Sequence, residues 1–222
     1  MKILCCAYRE WGLKVTQALT DLFPAHDFVL CKNLEELSAE LASHGTPDLI
    51  LAIGWSWIFK ADIITSTWVI GVHPSDLPDY GGGSPLQNQI LDGVVETKNT
   101  LFRLAPNIDD GPIIAKLPLN LDGHMADIFE RLASTSITLF ANFIRAFPDH
   151  VTTIQQKHKA GSKPLRRLKP ESGRLMAENF NKMTSRQLYD FIRCREDPYP
   201  NVYFEDETGK LFFSRVEWEP KK

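Results

Sequence analysis

Two segments of this chain carry side chains suited to moving a proton. His73 closes the apolar run of residues 68–72 and opens a loop containing Pro74, Pro78 and three consecutive glycines, Gly81, Gly82 and Gly83. Asp109, followed by Asp110 and Gly111, closes a second apolar stretch over residues 101–108. An imidazole and a carboxylate at the mouths of two buried strands sit where clefts usually form, and together make an acid-base pair. A lone histidine in a strand is more often structural, and Asp-Asp-Gly is a common turn. The Pro- and Gly-rich loop shifts the balance, because its backbone must turn tightly and can approach a ligand. Such a pair suits acyl transfer to an amine. That reaction needs one group to take the amine proton and one donor to steady the developing oxyanion.

Positioning the pair requires strands that end at a common edge. Residues 2–7, 28–31, 48–53 and 68–72 read as short buried strands, with 99–105 and 112–118 as the last two of this region. Helical periodicity covers 11–23 through Leu13, Val15, Leu19 and Leu22, and then 33–43, where Asn33 caps a face of Leu34, Leu37 and Leu41. A short helix spans 85–91. The clearest spans 125–147, with Met125, Ile128, Phe129, Leu132, Leu139, Phe140, Phe143 and Phe147 on the helical period. This alternation predicts an α/β fold with a largely parallel sheet and helices on both faces.

After Pro148 the character changes. The stretch from His158 to Pro170 is basic, with Lys157, Lys159, Lys163, Arg166, Arg167 and Lys169 in or beside it. Thr184 and Gln187 form a capping box opening a helix over 186–194, which Asp197-Pro198-Tyr199-Pro200 stops. Residues 202–204 and 211–216 flank a Glu-Thr-Gly turn and read as a hairpin. The chain therefore divides into a main domain over 1–150 and a small C-terminal subdomain, a helix and a β-hairpin, over 151–222.

With 222 residues the chain can bury a substantial core. A net charge of −3 gives no electrostatic case for binding nucleic acid. Cys5, Cys6, Cys31 and Cys194 show neither a disulfide framework nor a CxxC pair, so they read as free thiols. The opening apolar run is too short for a signal peptide and is stopped by Arg9 and Glu10, and no stretch is long enough to span a bilayer. The expectation is a cytoplasmic protein that does not engage a membrane.

His73-Pro74-Ser75-x-Leu77-Pro78, the glycine-rich turn, Ser84-Pro85-Leu86-Gln87, Asp92-Gly93 and Asp109-x-Gly111 together resemble the core of the folate-dependent formyltransferases. The resemblance covers roughly residues 48–121, and Asp197-Pro198-Tyr199-Pro200 is similar to a Pro-Tyr-Pro of the sugar and tRNA branches. It implies a Rossmann-like formyltransferase domain, 10-formyltetrahydrofolate as cosubstrate and no metal. It also implies catalytic roles for His73 and Asp109. The pterin is expected between Ile53-Gly54-Trp55 and Ile108-Asp109-Asp110, near Leu77. Trp55 and Trp57 are either its apolar walls or ordinary core aromatics. Ser75, Gly83, Gln87, Asn88 and Arg9 are expected on the acceptor side, with Arg9 and the segment from Lys163 to Lys169 meeting phosphates or simply facing solvent.

One position departs from the family pattern. The family places an asparagine two residues before the histidine, where its amide bonds the formyl oxygen; this chain has Gly71. Losing one such donor costs about 3–4 kcal/mol of transition-state stabilisation unless something replaces it. The candidates are Gln87, Asn88, a water in the space glycine leaves, or His73 alone. Asp76 also stands where the family has leucine.

The resemblance points to the amino group of a nucleotide-linked deoxysugar as acceptor. The tRNA branch carries a sizeable C-terminal domain, whereas this chain ends soon after the hairpin. The glycinamide ribonucleotide branch has a glycine-rich turn after its first strand, where this chain has Ala7-Tyr8-Arg9-Glu10-Trp11. The rivals are a binding protein that has lost turnover through Gly71 and a formyl-tetrahydrofolate hydrolase. The sugar branch further implies a homodimer through the C-terminal part.

Overall fold

Strand β1, Lys2–Cys6, is buried on both faces, and its side chains alternate between two separate cores. Ile3, Cys5 and Ala7 join one core with Val15 and Phe140, while Leu4 and Cys6 join another with Leu37 and Ile64. That division is what a sheet covered by helices on both sides requires. The computed structural model describes residues 1–158 and 164–221, so Lys159 and Lys163 of the basic stretch lie outside the described residues.

In chain order, β1 is followed by α1 (Glu10–Leu22), β2 (Asp27–Cys31), α2 (Leu34–His44), β3 (Leu49–Ala52), α3 (Ala61–Ser66) and β4 (Trp68–His73). Then come α4 (Pro85–Leu91), β5 (Glu96–Arg103), β6 (Ile113–Asn120) and α5 (Met125–Ala146). The six strands make one sheet in the order β2-β1-β3-β4-β5-β6. The pairings β1–β2, β1–β3 and β3–β4 are parallel, as the alternation of elements predicts. The last two strands depart from it: β4–β5 and β5–β6 are antiparallel. Chain reversal at β5 makes His73 the partner of Thr100 and Gly71 the partner of Phe102.

Local signals fixed the helices. Asn33 accepts a hydrogen bond from the Glu36 amide at 2.9 Å, and Glu36 accepts one from the Lys32 amide at 2.7 Å. The short helix α3 gives no clear periodic signal, and only the fold reveals it. The expected ends of β5 and β6 also shift, because β5 begins earlier, at Glu96, and β6 runs on to Asn120.

Beyond α5 lie a 3-10 helix (Pro170–Gly173), α6 (Asn179–Lys182), α7 (Ser185–Arg193) and a hairpin of β7 (Val202–Asp206) and β8 (Gly209–Phe213). The hairpin closes at Asp206–Gly209, so its second strand sits earlier than the expected 211–216. Buried Arg193 locks α7 to the sheet domain. Its Nε donates to Asp190 at 2.6 Å and its Nη1 to the Leu121 and Gly123 carbonyls, each at 2.7 Å. Glu196 accepts from the Met125 amide at 3.0 Å and faces His124 Nδ1 at 2.7 Å, pinning the following turn to the start of α5. No helix among the described residues is long and apolar enough to cross a membrane.

Candidate active site

His73 ends β4 with its ring almost fully buried. Its Nε2 lies 2.9 Å from the Tyr80 carbonyl oxygen, an atom that only accepts, so Nε2 carries the hydrogen and donates it. Nδ1 then faces Asp109 Oδ2 at 3.4 Å. That carboxylate is fixed in turn, since Oδ2 accepts from the Gly82 amide at 2.7 Å. Gln156 Nε2 donates to the Asp109 and Gly111 carbonyls at 2.8 and 2.7 Å. The pair foreseen from residue types is therefore assembled, but only His73 stands at a strand end: β5 stops at Arg103, and Asp109 reaches the site from the loop before β6, tied to the glycine loop through Gly82.

The backbone around the pair is unusual. Tyr80, Ser84 and Asp109 all have positive φ, at 56°, 54° and 52°. Non-glycine residues adopt this conformation only where surrounding contacts over-determine it, and such positions cluster at functional sites. The glycines of the loop serve a different end from the one sequence suggests. A Cβ on Gly82 would lie 2.5 Å from the Leu165 carbonyl oxygen, and one on Gly83 2.3 Å from the Arg167 nitrogen. It is the segment 164–168 that approaches this backbone closely, strapped down by Leu165 N to Gly81 O (2.8 Å) and Gly83 N to Leu165 O (2.7 Å).

The pair opens on a cavity of about 760 Å³, within the range for small-molecule sites. One wall is aromatic: the ring centroids of Trp55 and Trp57 are 4.6 Å apart, and Tyr8 packs on Trp57 at 4.9 Å. Ile58 and Ile108 form apolar lips, 76% and 54% exposed. The indole Nε1 of Trp55 is buried without a hydrogen-bond partner on this wall. A flat heterocycle rich in acceptors would fit both the wall and the orphaned donor, so the residues present suit a pterin. Among the described residues, no three His, Cys, Asp or Glu side chains converge as a metal-holding group.

Of the residues expected at the site, His73, Asp109, Gly54, Trp55, Ile108, Gly83, Gln87 and Arg9 line this cavity. Trp57, Arg167 and Lys169 line it as well, whereas Ile53, Leu77, Ser75, Asn88 and Asp110 do not. Ile53 and Leu77 are core residues. Ser75 is fully buried, and its hydroxyl donates to the Asp79 carbonyl at 2.6 Å. Asn88 spends its amide on the Gly83 carbonyl at 3.0 Å. Asp110 turns to Asn107 and to His158 Nε2, 2.6 Å away. The amide of Asn107 and, less strongly, His158 hold its carboxyl below the ordinary range, against a smaller opposing effect of burial.

The space beside Gly71 is filled: a Cβ there would meet Leu104 Cδ1 at 2.8 Å and Phe102 Cε1 at 3.4 Å. Gln87 is different, being buried on the cavity wall with its Oε1 unpartnered. Asp76 holds the loop by pairing with Lys116 and, at 3.0 Å, with Lys98. Burial raises its pKa, but the two ammonium groups outweigh that and leave it lowered.

Tyr80, Gln156 and Arg195 escaped the sequence reading. Tyr80 acts through its carbonyl, which no residue type announces. Gln156 lies in a stretch without periodicity. Arg195 stands three residues before the Pro-Tyr-Pro motif, the nearest available signal.

Comparison with known proteins identifies the family and the fold. The family model described as formyl transferase matches residues 20–135, just over half of the chain. A methionyl-tRNA formyltransferase of Lysinibacillus sphaericus is 26% identical over 184 residues, 77% of this chain and 55% of its own length. The chain thus spans about half the length of the curated relatives it matches. Among solved structures, a methionyl-tRNA formyltransferase from Clostridium thermocellum superposes with a TM-score of 0.87 at 26% identity, over 99% of this chain and 94% of that one. A likely sugar N-formyltransferase from Mycobacterium tuberculosis gives 0.76 at 22% identity, over 100% and 99%, and shares the fold. The match over just over half of the chain, a segment that holds both His73 and Asp109, shows that the chain belongs to the formyl transferase family.

Proposed function

We propose that the protein transfers a formyl group from 10-formyltetrahydrofolate to the amino group of a nucleotide-linked amino-deoxysugar. The observation that carries this is the His73–Asp109 pair, 3.4 Å apart, at the head of a cavity with one aromatic wall and one cationic end. The family's cosubstrate, when bound, supplies a formyl carbon already attached to nitrogen. Transfer then forms a new C–N bond to the acceptor amine, breaks the old one, and moves one proton from the incoming amine to the departing nitrogen.

The chain's own residues serve each demand of that exchange. The Tyr80 carbonyl fixes the tautomer and plane of His73, so Nδ1 and the Asp109 carboxylate form the edge that handles the proton. A separation of 3.4 Å leaves Nδ1 only loosely held, free to tighten onto a reacting group. In place of the missing asparagine, the Gln87 carboxamide donates to the formyl oxygen as it gains charge. Asn88 Nδ2 is already committed to the Gly83 carbonyl, whereas Gln87 lines the cavity and its Nε2, the atom that would donate, has no hydrogen-bond acceptor among the described residues. Trp55, Trp57 and Phe59 keep water from the reacting centre.

A second acceptor, methionyl-tRNA, is suggested by the names of the curated relatives. Tetrahydrofolate release from 10-formyltetrahydrofolate separates the readings. Release on adding a UDP- or dTDP-aminosugar supports the proposal. Release only with methionyl-tRNA moves the acceptor to the second reading. Release without any acceptor indicates hydrolysis, and none at all indicates a binding protein.

A further inference from the structure

Four cationic side chains, Arg9, Arg167, Lys169 and Arg195, line the active cavity, and Asp109 is its one carboxylate among the described residues. Arg195 is the unusual member because it is 6% exposed. A guanidinium withdrawn from water is costly unless a counter-charge compensates it. Arg195 has none among the described residues. Its Nη1 donates to the Phe191 carbonyl at 2.9 Å and to Cys194 Sγ at 3.4 Å, and its Nη2 to the Ser172 carbonyl at 3.3 Å. Those are neutral partners, and they leave part of a five-donor fork without an acceptor. The neighbouring carboxylates are engaged elsewhere. Glu196 serves His124 and Met125, and Asp190 serves Arg193 and Arg186.

Two of the other cations, Arg9 and Arg167, act on Tyr199, four residues on. The Arg9 guanidinium lies 5.8 Å from its ring centroid. Burial pushes the Tyr199 phenol up, while Arg9 and Arg167 pull it the other way, so both reach this end of the cavity. Arg167 and Lys169 flank Leu168, whose amide donates to Ser84 Oγ at 3.0 Å, which sets the strap beside the catalytic loop.

We infer that Arg195, with Arg9, Arg167 and Lys169, forms a binding site for the phosphoryl groups of the acceptor. This rests on the acceptor reading above. Four cations against one carboxylate suit a doubly or triply charged diphosphate better than a single carboxylate. The same chemistry could instead meet the glutamyl carboxylates of a folate, and the two sources are separable by binding.

Isothermal titration of the full-length protein with UDP, and separately with tetrahydrofolate monoglutamate and triglutamate, tests this. The wild type is expected to bind UDP, Arg167→Gln to weaken it about tenfold, and Arg195→Gln to weaken it more, with partial recovery in Arg195→Lys. If Arg195→Gln does not fold, the exposed Arg167→Gln and Lys169→Gln variants still read the site. UDP binding that is absent in the wild type, or equal in all variants, overturns the inference. A loss confined to the triglutamate also overturns it, assigning the site to the folate tail. Arginine-dependent UDP binding in a protein that formylates no aminosugar leaves the phosphoryl site standing and removes only the proposed reaction.

Discussion

Leu104 occupies the place a side chain at position 71 would need: a Cβ on Gly71 would lie 2.8 Å from Leu104 Cδ1. Restoring the family's asparagine therefore requires Leu104 to move. Gly71→Asn is expected to destabilise the protein by about 1–2 kcal/mol, in the overpacking range, and to lower turnover. Adding Leu104→Ala should recover most of the lost stability by making room. Denaturant midpoints of the two variants check this, and a fully stable, more active Gly71→Asn would show that Leu104 yields freely.

Asp109→Asn keeps an acceptor for the Gly82 amide while removing the charge beside His73. Turnover should fall at least about 100-fold with the melting temperature nearly unchanged, the usual scale for acid-base residues. His73→Ala should match it.

Gln87→Ala removes the donor assigned to the formyl oxygen. About 3 kcal/mol of lost transition-state stabilisation corresponds to a fall in kcat of about 100-fold. KM for both substrates should change little. A loss confined to KM would instead make Gln87 a ground-state contact.

The buried thiols predict a stability limit in alkali. Burial pushes Cys5 up to about 12, partly opposed by Thr16, and Cys194 up to about 11, partly opposed by Arg195 and Arg193. In the unfolded chain these thiols ionise near pH 9. Above that pH the unfolded state binds fewer protons than the folded one, so stability falls as pH rises. Each thiol contributes a slope of up to about 1.4 kcal/mol per pH unit, over a window from pH 9 to about 11 for Cys194. Chemical denaturation at pH 8 and pH 10 measures the loss, and Cys194→Ala should shrink it.

Gly83→Ala tests the strap. Its new Cβ would sit 2.3 Å from a backbone nitrogen, that of Arg167, which cannot swing aside as a side chain can. The strap is expected to detach, with trypsin cutting at Arg166 and Arg167 and activity falling more than tenfold. Far-UV circular dichroism should remain close to that of the wild type.

The parts of the protein legible in its sequence are those governed by neighbours in the chain. Asn33 announces α2 through a local cap, and Met125 to Phe143 announce α5 through a local period. His73 and Asp109 stand out because each closes an apolar run. Strand direction is less accessible: nothing in residues 96–103 states that β5 runs against β4, since a buried strand reads alike in either sense. Long-range partners are likewise hidden. The tautomer of His73 depends on the main chain of Tyr80, and the demand for glycine at position 83 comes from Arg167. The resemblance places Ser75 on the acceptor side, yet its hydroxyl turns inward to Asp79.

The strap also has a bearing on biosynthesis. All six sheet strands have left the ribosome once Asn120 has emerged, but the loop between His73 and Ser84 lacks its cover until Leu165 and Leu168 follow, and Arg195 comes later still. A nascent chain thus carries an ordered scaffold before it carries a finished site, with folding of the N-terminal part running ahead of it. The catalytic loop and its cover are complete only after Arg195 has emerged, about 75 residues beyond the last strand of the sheet.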